Sequence, residues 1–165
     1  MSTLSVDTIQ GKTTAGTVAM PSGHVVQVQS SQVSAWSPTN SQSLISTGLA
    51  VSITPKFNNS KVLVTVSMNG LYTDAGTTYA LYHLYRGSSI INFMTSVQGQ
   101  NAGSGYEYGA CLSNQFLDSP STTSATTYTV YYRSSHSGQS VGFNNYGIGG
   151  NNTTTSQITA MEIKQ

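Results

Sequence analysis

Three histidines and one cysteine are the side chains in this sequence best suited to metal binding or nucleophilic chemistry. They are His24, His83, His136 and Cys111. The histidines have no paired spacing, and no local motif supplies the cation or histidine that lowers the pKa of a nucleophilic cysteine. We therefore expect His83 to be a packed or hydrogen-bonded strand residue and Cys111 to be a buried structural thiol. We expect no cofactor, although the sequence leaves open a metal shared between subunits.

The carboxylates are the remaining candidates for acid–base catalysis. They are Asp7, Asp74, Glu107, Asp118 and Glu162. Hydrolysis of a glycosidic bond needs two carboxyl groups that flank it, and the sequence brings no two of these together. Asp118 precedes Ser119-Pro120, which is typical of a turn residue. The chain also has no phosphate-binding loop. The sequence thus favours a protein that is not an enzyme, with a polysaccharide depolymerase as the enzymatic alternative.

The ten tyrosines are the most informative side chains. Each offers a large ring with a polar tip, which suits subunit interfaces and stacking against sugars. Positions in the core are the alternative, and the residues alone leave both uses open. Trp36 lies between Ser and Pro residues and is expected in a loop, which it either anchors on the domain or presents to a neighbour.

Composition limits the class of the protein and its partners. Charged residues make up 7% of the 165 residues, and the net charge is +1. Such a chain offers no electrostatic footprint for a nucleic-acid backbone. No apolar run approaches the ~20 residues of a membrane-spanning helix. The sequence therefore predicts one β-rich domain that binds no nucleic acid and does not insert into a membrane.

Alternating apolar residues predict that residues 24–165 form this β-domain. Residues 61–68 alternate most clearly, with Leu63 as an exception on the polar face. The apolar face of this run carries Val62, Val64, Val66 and Met68. Tyr79 to Arg86 is apolar enough on both faces for a central strand, and Asn69-Gly70 is a predicted turn. Eight or nine such runs predict an all-β, antiparallel β-sandwich of the jelly-roll type.

Residues 1–23 are predicted to form an extended N-terminal arm. Isolated apolar residues recur there among Thr, Ser and Gly, and a turn at 21–23 closes the segment. The arm cannot bury these residues by itself, so we expect it to lie on another protein; a frayed terminus is the alternative. The candidate docking residues are Val6, Ile9, Val18 and Met20.

Several stretches resemble virion surface proteins of tailed phages, notably phages of marine cyanobacteria and other marine bacteria. The similarity is carried by the opening LSVDTIQGKTTAGTVAMPSGHVVQVQ, by FLDSPSTTSATTYTVYYRS at 116–134 and by SQITAMEIKQ at 156–165. ITPKFNNSKVLVTVSMNGLY and YALYHLYRG fit the same pattern. The resemblance implies a place on the phage particle surface and a trimeric β-sandwich, often at the end of a tail-fibre chain. Because only a short arm precedes the domain, both a fibre-tip subunit and a head-decoration protein are open roles.

The resemblance and the residues together predict a physical function. The arm would dock on a phage capsid or tail protein, and the sandwich would form a homotrimer. Edge strands of soluble monomers are usually protected by charge, especially by lysine. The scarcity of lysine favours edges that are covered either by closure of the sheet or by partner subunits. Loops 98–105, 136–139 and 147–152 would face outward and could bind host cell-surface glycans with the avidity of three copies. The candidate outward contacts are Asn101, His136, Tyr146, Asn151 and Asn152. A cellular lectin-like domain, which would not need the arm, is the remaining alternative.

Overall fold

The computed structural model describes residues 21–74, 77–98, 110–144 and 154–165. This part of the chain is all-β and its strands pair in antiparallel fashion, as predicted. The strands are β1 (Val25–Val33), β2 (Ser37–Thr39), β3 (Ile45–Ile53), β4 (Lys61–Thr73), β5 (Tyr79–Arg86), β6 (Ser89–Gln98), β7 (Ala110–Asp118), β8 (Thr126–Ser134), β9 (Val141–Phe143) and β10 (Ser156–Ile163).

The long strands form two packed sheets with the connectivity of a jelly roll. In sheet I, β1, β10, β4 and β7 lie side by side, and the short β9 and β2 continue beside the end of β4. Sheet II has the order β3-β8-β5-β6. Among the eight long strands, the first pairs with the last, the second with the seventh, the third with the sixth and the fourth with the fifth. This is one long antiparallel hairpin rolled into two sheets, which confirms the predicted β-sandwich.

The core lies between the sheets and follows the alternation in the sequence. Val62, Val64, Val66 and Met68 all point inward and are at most 2% exposed. Three of the seven tyrosines in the described ranges, Tyr82, Tyr128 and Tyr132, are fully buried as well. The rings of Tyr82 and Tyr132 stack with centroids 6.0 Å apart. Buried hydroxyls need partners, and the Tyr82 hydroxyl donates to the Gly142 carbonyl oxygen at 2.7 Å.

Trp36 anchors its connection on the domain. Its ring packs edge-on against Tyr72, with centroids 5.3 Å apart. It also covers Gly142, where a β-carbon would lie 2.8 Å from the indole ring. The connection continues directly into β2, a three-residue strand that the sequence did not predict because it is too short to show alternation.

Two local predictions were wrong. Asn69-Gly70 does not end a strand, because β4 continues through it to Thr73. Gly70 has a φ of 57°, and the register with β7 shifts between Met68 and Leu71, so the glycine forms a β-bulge. Cys111 is exposed rather than buried. Its neighbour Leu112 points into the core, and alternation along β7 therefore turns the thiol outward.

The strands run between two opposite ends of the sandwich. We call the end that contains Gly23, His24 and Lys164 the arm end, after the arm predicted for the residues before them. There the Gly23 amide donates to the Lys164 carbonyl oxygen at 2.7 Å, and the Lys164 amide donates to the His24 carbonyl oxygen at 3.0 Å. We call the opposite end the loop end. There the Ser135 amide donates to the Tyr79 carbonyl oxygen at 3.0 Å, and the Asp74 amide donates to the Ser140 carbonyl oxygen at 3.0 Å.

Candidate functional site

His136 is the candidate contact residue that the described part of the chain contains, and it lies at the loop end. Its side chain is exposed, and its Nδ1 atom is 2.9 Å from the Ser135 hydroxyl. The Ser134 hydroxyl donates to the His136 carbonyl oxygen at 2.8 Å. The connection that carries His136 is therefore tied to the end of β8 by side-chain hydrogen bonds.

The other candidate residues lie outside the described part of the chain. These are the outward contacts Asn101, Tyr146, Asn151 and Asn152 and the docking residues Val6, Ile9, Val18 and Met20. The strand ends that flank residues 99–109 are nevertheless described, since β6 ends at Gln98 and β7 begins at Ala110. Both strand ends belong to the loop end, because Gln98 pairs with Tyr79 and Ala110 pairs with Leu71.

Asn144 fixes the strand ends on the other side of the loop end. Its side-chain amide donates to the Val33 carbonyl oxygen at 2.9 Å and its side-chain oxygen accepts from the Ser156 hydroxyl at 2.6 Å. Its backbone amide donates to the Asn69 carbonyl oxygen at 2.8 Å. Asn144 has a positive φ of 61°, which asparagine tolerates better than most residues. The side chain of this buried residue thus joins β1 to β10, and its backbone amide adds β4.

A cluster of rings covers the outer face of sheet II. We call Tyr85, Tyr131, His83 and Phe93 the aromatic face. The Tyr85 and Tyr131 centroids are 4.3 Å apart, and those of His83 and Phe93 are 5.0 Å apart. Tyr131, His83 and Phe93 are direct cross-strand partners on β8, β5 and β6. Phe93 is 52% exposed, so the cluster presents a ring surface to solvent.

His83 is the polar member of the aromatic face. Its partial burial, together with the nearby charge of Arg133, lowers its pKa below the usual value. The imidazole is therefore neutral at pH 7. Its Nδ1 atom is buried and has no hydrogen-bond partner among the described residues. A neutral ring surface of this kind can stack against the C–H faces of a sugar. The sequence had placed His83 and Tyr85 on one predicted strand but had not singled out Tyr131 or Phe93.

The two carboxylates that lie inside the sandwich have structural partners. Both oxygens of Asp118 are 2.8 Å from the same Arg86 nitrogen, and one accepts from the Tyr128 hydroxyl at 2.7 Å. Burial and this hydrogen bond raise the pKa of Tyr128. Asp118 therefore has the structural role expected from sequence, although it ends a strand and its partners are side chains rather than a turn.

Glu162 is fully buried at the arm end and accepts hydrogen bonds on both oxygens. One oxygen accepts from the Lys56 amide at 2.8 Å, the Phe57 amide at 3.2 Å and the Ser60 hydroxyl at 2.7 Å. The other accepts from the Gln27 side-chain amide at 2.6 Å. Burial raises the pKa of Glu162, but these hydrogen bonds outweigh it, so the net pKa is below the usual value.

The described residues contain no group of three His, Cys, Asp or Glu side chains that could hold a metal ion. No helix long and apolar enough to cross a membrane occurs among the described residues. No protein-family model matches the chain, and no curated protein matches it.

Proposed function

We propose that this protein is a non-enzymatic structural protein of a tailed-phage virion. In this proposal it is a homotrimer on the particle surface that docks through residues 1–23 and displays its loop end outward. The observation that carries the proposal is that the start of the described chain and the candidate loops lie at opposite ends of the sandwich. Residues 21–24 enter beside the end of β10, whereas the strand ends that flank the three candidate loops lie at the opposite end. A docking segment and a display surface at opposite ends suit a protein that stands on a particle.

The construction of the arm end supports a docking role. Glu162 bonds residues of β1 and of the 54–60 connection, and Asp118 joins β7 of sheet I to β5 and β8 of sheet II. Both buried carboxylates therefore hold separate elements together by hydrogen bonds at the end where the arm would attach. All three lysines among the described residues, Lys56, Lys61 and Lys164, also belong to this end. Their charge would add a salt-dependent attraction to an acidic partner surface.

Deletion of residues 1–23 tests the proposal. We expect the full-length protein to be captured by purified phage capsids or tails and the deletion variant to lose capture by at least about 100-fold. The expected loss is large because the arm would bind by strand addition and burial of apolar side chains. Capture by capsids identifies a head-decoration protein, and capture by tails a fibre-tip subunit. Equal capture of both proteins, or of neither, would contradict docking through the arm.

The aromatic face favours a second function, recognition of host cell-surface glycans. Tyr85, Tyr131 and Phe93 form a ring surface on sheet II, and Arg133 beside it can donate hydrogen bonds to sugar hydroxyls. Stacking of a sugar on one exposed ring contributes weakly, so binding would depend on several copies.

Removal of one ring measures this function. We expect Phe93→Ala to lower the binding of the protein to host-cell polysaccharide immobilised on a sensor surface by about 10-fold, because Phe93 is the most exposed ring of the aromatic face. The matched control is Phe57→Ala, which removes an exposed ring from the 54–60 connection, away from the aromatic face. Unchanged binding by Phe93→Ala, or an equal loss in both variants, would contradict a glycan site on the aromatic face.

A further inference from the structure

We infer that the outer face of sheet I is the surface through which copies of this chain associate. The inference deepens the proposed function, which includes a homotrimer, by naming the surface that joins its subunits. It starts from Leu63, the apolar residue that interrupts the polar face of β4. Leu63 pairs directly with Met161 on β10 and with Leu117 on β7, and Met161 pairs with Val28 on β1.

These four side chains form a continuous apolar row across the sheet. Directly paired residues in antiparallel strands point to the same face and lie about 5 Å apart. The row therefore crosses four strands over about 14 Å. Its two ends, Val28 and Leu117, are 53% and 52% exposed. Val25 is 46% exposed and extends the apolar surface through its pair with Ile163.

The rows beside it are polar but uncharged. One consists of Ser30, Thr159, Thr65 and Gln115, and the next of Gln32, Gln157, Ser67 and Ser113. Three successive rows of this face thus carry no charged side chain. A strongly charged surface repels a copy of itself unless its positive and negative groups face each other across the contact. A neutral face of apolar, hydroxyl and amide groups has no such repulsion and suits self-association. These features point to a second copy of the chain as the occupant.

The edges of sheet I support the same occupant. β1 contains no charged residue, and the only one in β7 is Asp118, which points inward to Arg86 and Tyr128. Exposed edge strands without charge are prone to pair with other strands unless a neighbour covers them.

The area of the outer face of sheet I also fits an interface between copies. Four strands and eight residues give a flat footprint of about 500 Å², and side-chain relief brings it toward the ~800 Å² per partner of a standard interface.

Lysines at the two ends of the apolar row test the inference. We expect the full-length protein to sediment as an oligomer between about 1 and 100 µM. We expect the double variant Val28→Lys, Leu117→Lys to sediment as a monomer, with its apparent dissociation constant raised at least about 100-fold, because like charges would face each other across the contact. The matched control is Ile90→Lys, Phe93→Lys on sheet II, since these side chains are also 53% and 52% exposed. We expect the control to remain oligomeric.

A single, more conservative substitution separates loss of association from loss of folding. Leu63→Thr places a good strand former at the centre of the row and should weaken association about 10-fold while the circular dichroism spectrum stays unchanged. The inference is overturned if wild-type protein is monomeric at 100 µM, if the sheet I variants associate like wild type, or if the sheet II control dissociates instead. A monomeric wild type that phage particles still capture through its arm would overturn this inference and leave the proposed docking intact.

Discussion

The substitution Glu162→Ala is expected to lower the free energy of unfolding by about 3–5 kcal/mol. The buried carboxylate accepts from two backbone amides and a hydroxyl in the 54–60 connection and from Gln27 on β1. Removing it takes the acceptor from four donors at a partly buried site, and each donor that water does not reach is costly. Chemical denaturation of the full chain, followed by tyrosine and tryptophan fluorescence, measures the change.

Glu162→Gln is the matched control because it keeps the shape of the side chain. Its amide oxygen can accept from Lys56, Phe57 and Ser60, and its NH₂ group can face Gln27 if that amide rotates. Gln27 would then lose its bond to the Thr54 carbonyl oxygen. We expect a loss of about 1 kcal/mol. Equal losses in the two variants would contradict this account, because Glu162→Gln keeps the volume and most of the hydrogen bonds that Glu162→Ala removes.

The low pKa of Glu162 also gives its contribution a pH dependence. The folded state binds a proton on this group less readily than the unfolded state, whose pKa is near 4.5. Its contribution to stability is therefore complete above pH 4.5 and is lost as the pH falls through the lower folded pKa. Wild-type protein should lose more stability than Glu162→Gln across this acid range.

The substitution Asp118→Ala should lower the free energy of unfolding by about 2–3 kcal/mol. It removes the acceptor of the buried Tyr128 hydroxyl and the partner of Arg86. The two sheets thereby lose the hydrogen bonds that Asp118 forms between them at the arm end. Arg86 is 35% exposed and can be solvated, so most of the cost comes from Tyr128. Thermal unfolding monitored by circular dichroism measures the loss.

Tyr128→Phe distinguishes the hydroxyl from the ion pair. This change removes the donor and should cost about 1 kcal/mol alone. In the Asp118→Ala background it should cost much less, because the hydroxyl has no acceptor there. Strict additivity of the two changes would contradict a direct contribution of the Tyr128–Asp118 hydrogen bond.

The fold was largely predictable because alternation reports directly which face of a strand is buried. Tyr79–Arg86 was predicted with the observed bounds, and its neighbours in sheet II make it a central strand. Gly70 was misassigned because a turn and a β-bulge both use a glycine with positive φ. Cys111 was misassigned because residue type was given more weight than its position opposite Leu112 in the alternation.

The interaction surfaces depend on strand register, which local sequence does not contain. Leu63 was visible as an exception on a polar face, but nothing near it in sequence indicates a row. Val28, Leu117 and Met161 are brought beside it only by the pairing of strands that are far apart in the chain. Tyr131 and Phe93 join His83 in the same way. The arm, the trimer and the virion location remain predictions from the sequence and its resemblance.

Reconstruction of intact phage particles by cryo-electron microscopy tests the central claim most directly. The account predicts a three-fold density on the particle surface in which the arm end, with residues 21–24 and Lys164, faces the particle. The ends of β4, β6 and β8 at Thr73, Gln98 and Ser134 should point away from it. Absence of the protein from purified particles, or an orientation with the loop end against the particle, would contradict the account.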